Sequence, residues 1–154
     1  MIVYDFDGVM TDNRALISAS GEEFVYVNRS DGLGISYFKQ KNIKQIILSS
    51  EKNNVVQARA TKLGIECTNG VEDKKEWLID YCKINSIDLD RVIFVGNDIN
   101  DLEIMKIVGL PVCPSDAYHE IQVVAKISLV SNGGYGVVRE MINNKEIVNF
   151  LKLR

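Results

Sequence analysis

Met1–Asp12, MIVYDFDGVMTD, decides the fold. Met1–Tyr4 is a short apolar run with a carboxylate, Asp5, directly at its end, the pattern of a buried strand that delivers a polar side chain to a sheet edge. Working outward, further short apolar runs follow at Ile43–Leu48, Gly64–Cys67, Arg91–Val95, Leu110–Val112 and Ala125–Leu129. Between them lie stretches that read as helices: Gly32–Lys41, Asn54–Leu63, Lys74–Asn85, Asp101–Ile107, His119–Val124 and Gly136–Leu151. In Lys74–Asn85, Trp77, Leu78, Tyr81 and Cys82 recur at helical spacing. Strands alternating with helices predict right-handed βαβ units, hence an α/β, Rossmann-like parallel sheet with helices on both faces. One segment breaks the rhythm. Ala15–Val27 holds two β-prone runs joined at Ser20-Gly21, a hairpin inserted after the first strand, over about residues 13–29. No repeat or Pro-rich linker interrupts the chain, so residues 1–154 form a single domain.

Composition narrows the function classes. The chain has 154 residues, 46% hydrophobic and 25% charged, with a formal net charge of -3, and so offers no basic excess for a nucleic-acid partner. No apolar run reaches the ~18 residues of a membrane span, and the start lacks the pattern of a signal peptide. Cys67, Cys82 and Cys113 are odd in number and form no C-x-x-C pair, which favours free thiols over a zinc site or disulfides. A cytoplasmic protein is expected.

Ligands of an open parallel sheet bind beyond the carboxyl ends of the strands. The residues that follow the apolar runs therefore converge: Asp5, Asp7, Thr11 and Asp12 after the first, Ser49 and Ser50 after the second. Lys74 opens the helix after the third, and Asn97, Asp98 and Asp101 follow the fourth behind the turn residue Gly96. This set suits phosphate-ester hydrolysis. A carboxylate can attack phosphorus, a second can protonate the leaving oxygen and then activate water, and a hydroxyl and an ammonium can hold the remaining oxygens. A hard cation such as Mg²⁺ would offset the repulsion between carboxylate and phosphate.

Asp5–Asp12 (D-x-D-G-V-x-T-D), Ser49 after a strand, Lys74, and Gly96–Asp101 (GNDIND) resemble, in order, the four motifs of the haloacid dehalogenase superfamily. The hairpin, Asn28–Gly34 (NRSDGLG) and Gly133–Glu140 (GGYGVVRE) are similar to its capless sugar-acid phosphatases, typified by the 3-deoxy-octulosonate 8-phosphate phosphatases. The resemblance implies no cap domain, Asp5 as nucleophile, Asp7 as acid/base, and Ser49 and Lys74 as phosphate binders. It implies Mg²⁺ held by Asp5, the Asp7 carbonyl and a side chain of the fourth motif, with Asp101 in support. It implies a homotetramer acting on a small-molecule sugar-acid phosphate. Two positions depart from the pattern. Ser50-Glu51 stands where the octulosonate enzymes carry Gly-Arg, and Glu51 with Lys62 resembles instead the phosphatases of nine-carbon nonulosonate 9-phosphates. Asn97 stands where the motif has Asp. Its oxygen can coordinate Mg²⁺ but brings no charge, so Asn97 alone or with Asp98 completes the metal set.

Several of these residues have plainer readings. Ser49 and Asp101 could cap helices, and Glu51 and Lys62 could be a solvated pair. Asp31 and Gly32 either start a helix or meet substrate. Arg139 is either a surface charge or a ligand for a substrate carboxylate. A second class of function also fits the sequence, a weakly active or inactive tetramerisation module associated with an acylneuraminate cytidylyltransferase.

Overall fold

The computed structural model describes residues 1–153 and places Ile2–Tyr4 (β1) at the centre of a six-stranded, wholly parallel sheet. Its partners are β4 (Gln45–Leu48), β5 (Glu66–Thr68), β6 (Ile93–Val95), β7 (Leu110–Cys113) and β8 (Ile127–Ser128). The order β5-β4-β1-β6-β7-β8 runs outward from β1, first to one side and then to the other. The direction of winding therefore reverses at β1, and the crevice at such a switch point opens beyond the strands' carboxyl ends.

The central strands are buried throughout, and their side chains alternate between two faces and divide the core in two. Ile2 and Tyr4 point to one face, with Ile35 and Phe38 of α1 (Asp31–Gln40) and Val56 and Ala60 of α2 (Val55–Leu63). Val137 and Val138 of α6 (Val137–Met141) and Ile147 of α7 (Lys145–Phe150) complete that layer. Val3 points to the other, with Leu78 and Cys82 of α3 (Lys74–Ile84), Ile104 of α4 (Leu102–Met105) and Ile121 of α5 (His119–Val124). The period-two alternation within β1 is what allows both layers to close on one strand. All three cysteines are free, Cys82 and Cys113 buried and Cys67 half-buried. No helix of the described residues is long and apolar enough to cross a membrane.

The hairpin forms its own two-stranded sheet, β2 (Thr11–Ile17) with β3 (Glu23–Val27). Its first strand starts earlier than Ala15, because the pairing of Thr11 with Val27 survives a register shift around Asn13, which sits at φ 62°. The reversal comes at Ser18–Glu22, where Ser18 accepts from the Glu22 N–H at 3.0 Å.

Two helices differ from the sequence reading. The stretch Gly136–Leu151 is two helices, not one, because the Asn144 side chain accepts from Glu146 and Ile147 N–H groups and starts α7 afresh. The helix expected from Asp101 is preceded by a 3-10 turn, Ile99–Asp101, and α4 ends at Met105.

Asp31 shows how the last helices are tied to the first. It is fully buried, and its Oδ1 accepts from the backbone N–H groups of Val138 at 3.0 Å and Arg139 at 3.2 Å, while Oδ2 has no partner among the described residues. Burial pushes its carboxyl up to about 6, against those two N–H groups and the nearby Arg59. Between the ordinary 3.8 and 6 the folded chain holds more proton than the unfolded chain, so stability falls as pH rises through this window. The cost from this group is roughly 2 kcal/mol between about pH 4.5 and about pH 7.5. Asp31→Asn keeps an acceptor oxygen and removes the charge. Urea unfolding at the two pH values should show that much less loss in the variant, and an unchanged pH dependence would refute the assignment.

Candidate active site

The switch point gathers side chains from four different elements. Asp5 leaves the end of β1, where its N–H donates to Val95 O at 2.8 Å, and its side chain is 6% exposed. The next residues turn tightly, with Phe6 O accepting from the N–H groups of Val9, Met10 and Thr11. Gly8, at φ 74°, makes that turn possible, and a Cβ there would overlap the Asn97 side chain. Asp7 is half-buried, and Thr11 donates its hydroxyl to Asp7 Oδ1 at 3.3 Å. Burial raises the Asp7 carboxyl above its ordinary value, and the Thr11 hydrogen bond opposes the rise. A carboxyl held protonated more readily than usual suits a proton donor.

Lys74 is the first residue of α3, a helix that Asp73 caps by accepting from Glu76 N–H at 3.0 Å. Its side chain is 1% exposed, and its ammonium lies 2.7 Å from both Asp5 Oδ1 and Asp101 Oδ1. The other oxygen of Asp101 accepts from Asn97 N–H at 2.9 Å, and Gly96 has no Cβ because one would overlap the Asp101 carboxylate. Two carboxylates and one ammonium are therefore buried together, and with all three ionised they carry an excess of one negative charge. Burial, then Asp101, drive the Asp5 carboxyl up to about 8, against the pull of Lys74. Burial disfavours the charged ammonium of Lys74, but the two carboxylates outweigh it and its pKa is raised.

That excess, together with the oxygens beside it, fits a cation. Asn97 Oδ1 faces Asp5 Oδ2 at 3.3 Å and the main-chain oxygen of Asp7 at 2.8 Å, with no donor between them. Turning the amide would let its NH₂ donate to both oxygens. A cation explains the oxygen-inward arrangement without the turn, since ligand oxygens at ~2.0–2.1 Å around Mg²⁺ sit about 2.9 Å from their neighbours. The set is one carboxylate, one amide and one carbonyl. Among the described residues no group of three His, Cys, Asp or Glu side chains is placed to hold a metal.

Ser49 directly follows β4, buried, with its hydroxyl accepting from Glu51 N–H at 3.1 Å. A cleft of about 230 Å³ opens over Asp5, Asp7, Ser49, Ser50, Glu51 and Asn100. A larger hollow of about 380 Å³ at the base of the hairpin takes its lining from Asp12, Arg14, Tyr26 and Tyr135 among others, and none of Asp5, Asp7, Ser49 or Lys74 lines it.

The structure thus brings together Asp5, Asp7, Ser49, Ser50, Glu51, Lys74, Asn97 and Asp101. Others expected at the site lie elsewhere. Asp98 is exposed, its carboxylate accepting from Ile99 N–H at 2.7 Å as the cap of the 3-10 turn. Lys62 is exposed on the last turn of α2, and Glu51 Oε1 instead accepts from Lys52 and Asn53 N–H groups, so no ion pair joins the two among the described residues. Asp31 holds the start of α6, Gly32 is in the first turn of α1, and Arg139 is half-buried on α6 without lining the cleft. Two contributors went unassigned in the sequence: Thr11, which holds Asp7, and Asn100, which lines the cleft and approaches Ser50 Oγ at 3.5 Å. A hydroxyl four residues beyond Asp7 in a Gly-turned loop was the signal available for the first.

Known proteins resemble this chain along most of its length. The family model of haloacid dehalogenase-like hydrolases matches residues 33–141. The 3-deoxy-D-manno-octulosonate 8-phosphate phosphatase KdsC of Salmonella typhi is 32% identical over 142 residues, 92% of this chain and 76% of that protein. The N-acylneuraminate cytidylyltransferase of Oncorhynchus mykiss is 33% identical over 144 residues, 91% of this chain but 33% of that protein, so the chain spans about a third of that relative's length. Among solved structures, the 3-deoxy-D-manno-octulosonate 8-phosphate phosphatase of Moraxella catarrhalis, in complex with a magnesium ion, a phosphate ion and KDO, superposes with a TM-score of 0.91. It shares 26% identity, covering 98% of this chain and 86% of that one.

Proposed function

The chain belongs to the haloacid dehalogenase-like hydrolases, and from that membership we propose that it is a Mg²⁺-dependent phosphatase of a phosphorylated 3-deoxy-2-keto sugar acid. The observation that carries the reading is the buried Asp5–Lys74–Asp101 cluster beside the three converging oxygens of Asp5, Asp7 and Asn97. When bound there by Asp5, the Asp7 carbonyl and Asn97, Mg²⁺ supplies positive charge against the phosphoryl oxygens. Asp5 attacks phosphorus, and the bond to the sugar oxygen breaks as Asp7 gives that oxygen its proton. Water then attacks the aspartyl-phosphate, Asp7 takes a proton from it, and inorganic phosphate leaves with Asp5 restored. Ser49 donates its hydroxyl to a phosphoryl oxygen, and the Lys74 ammonium, already fixed by two carboxylates, offsets the charge nearby.

A nine-carbon nonulosonate 9-phosphate is the favoured substrate over an octulosonate 8-phosphate, on the strength of Ser50 and Glu51 at the cleft. The active form is a homotetramer in the cytoplasm: the cleft is small, and Leu16, Ile17, Phe24 and Tyr26 of the hairpin are exposed. The test is phosphate release from a panel of eight- and nine-carbon keto-acid phosphates, with Mg²⁺ and after its removal by chelation, on a preparation sized by light scattering. Turnover should need Mg²⁺, come from a particle of four chains and be faster on a nine-carbon substrate. Failure of any one removes that part of the reading. Similarity to one part of a cytidylyltransferase, with the uncharged Asn97, favours a second reading, an inactive or weakly active tetramerisation module. A tetramer that binds no Mg²⁺ and hydrolyses nothing on the panel would establish it.

A further inference from the structure

Asn97 sets an unusual charge balance at the site. Of the three oxygens that converge there, Asp5 Oδ2 alone belongs to a charged group, and the other oxygen of Asp5 already faces Lys74 at 2.7 Å. The neighbouring carboxylates are committed elsewhere. Asp101 spends Oδ1 on Lys74 and Oδ2 on the Asn97 N–H, Asp7 holds Thr11, and Asp98 caps Ile99 at the surface. With all three groups ionised, the state in which Asp5 serves as ligand and nucleophile, the buried charges sum to one negative: Asp5 and Asp101 against Lys74. A divalent cation entering alone would turn that sum to one positive, in exchange for part of a hydration shell that Mg²⁺ gives up reluctantly. A phosphate dianion entering alone would raise it to three negative. Entering together, the two leave the balance where it began, at one negative.

We infer that this site takes up its cation and its phosphate as a pair, each binding weakly alone and each strengthening the other, and that Asn97 is the residue that sets the coupling. The inference rests on the reading of the site as a metal-assisted phosphate site and specifies how that site loads: Mg²⁺ stays with the protein chiefly while a phosphorylated ligand is present. Asn97 acts by withholding a charge at a ligand position, so supplying one should uncouple the pair. By linkage, the factor by which phosphate tightens Mg²⁺ equals the factor by which Mg²⁺ tightens phosphate.

Calorimetric titration of the whole chain with Mg²⁺, with and without inorganic phosphate, reads the coupling directly and needs no turnover. In the wild type, phosphate should tighten Mg²⁺ by about tenfold or more, within the usual range of coupling between sites. In Asn97→Asp, Mg²⁺ alone should bind about tenfold tighter and the effect of phosphate should shrink accordingly. Asp98→Asn should leave Mg²⁺ affinity within about twofold of wild type, because its carboxylate is turned to Ile99 N–H. Equal Mg²⁺ affinity with and without phosphate in the wild type overturns the inference even if Asn97→Asp does not fold. So does an Asn97→Asp protein whose Mg²⁺ affinity is unchanged, or an Asp98→Asn protein that loses affinity. An active phosphatase with uncoupled binding refutes this inference alone, whereas coupled binding in a chain that hydrolyses nothing on the panel refutes the phosphatase reading alone.

Discussion

Asp5→Asn should lower Mg²⁺-dependent phosphate release by about a thousandfold or more while leaving the protein folded. Asn matches the size of Asp but is a far poorer nucleophile, so no aspartyl-phosphate can form. The variant also deprives the oxygen cluster of its single charged ligand. Its effect on stability has the opposite sign. The buried trio of Asp5, Lys74 and Asp101 carries one negative charge too many, and the substitution balances it while Lys74 keeps Asp101 at 2.7 Å. In metal-free buffer at about pH 8, thermal unfolding should therefore occur at the wild-type temperature or above it. Turnover within about tenfold of wild type would remove Asp5 from the chemistry. A sharply lowered unfolding temperature would instead mean that the loss of activity reports unfolding.

Lys74→Met should do the reverse, damaging stability as well as activity. Met fills much of the space of the lysine stem, but Asp5 and Asp101 are then left buried against each other with no counter-charge. Breaking a buried pair by removing one partner costs about 3–5 kcal/mol. In a chain of this length that is roughly 6–20 °C of thermal stability. The loss should be smaller at about pH 5 than at about pH 8, since a proton taken up by the pair of carboxylates replaces the missing charge. Mg²⁺ should restore part of it for the same reason. Thermal melts at the two pH values, with and without Mg²⁺, measure both effects, and a variant as stable as wild type at pH 8 would show that Lys74 is not what holds the carboxylates there.

Most of the fold was legible in the sequence because burial writes it plainly. Ile-Val-Tyr before Asp5, and Ile-Phe-Val before Gly96, are short, β-branched or aromatic, and flanked by turn residues, so strand positions and their polar endings follow from one pattern. The break between α6 and α7 was not visible. Apolar residues run on through Met141, Ile142 and Ile147, and only the Asn144 side chain, bonding its own backbone two and three residues on, stops one helix and starts the next. At the site, the residues expected there because they stand at a strand end do come together: Asp5, Ser49 and Asn97. For Asp31, which does start α1, and for Lys62 the sequence left two readings open, since whether a polar residue beside a helix end turns inward, outward or onto a distant backbone depends on contacts such as that between Asp31 and Val138, 107 residues away. Thr11 and Asn100 stood inside the quoted motifs without a role, because what each does depends on the neighbour it meets, Asp7 for Thr11 and the cleft for Asn100.

The hairpin pairs only with itself among the described residues, and short connections lead into it from β1 and out of it to α1. Because loop-closure cost grows by only about 0.6 kcal/mol per doubling of length, its turn at Ser18–Glu22 can be lengthened or shortened with little effect on the strands below. The turn can therefore be altered independently of the residues that react. The chain keeps a fixed set of reacting groups at one end of its sheet and carries, immediately beside them, a segment free to diverge.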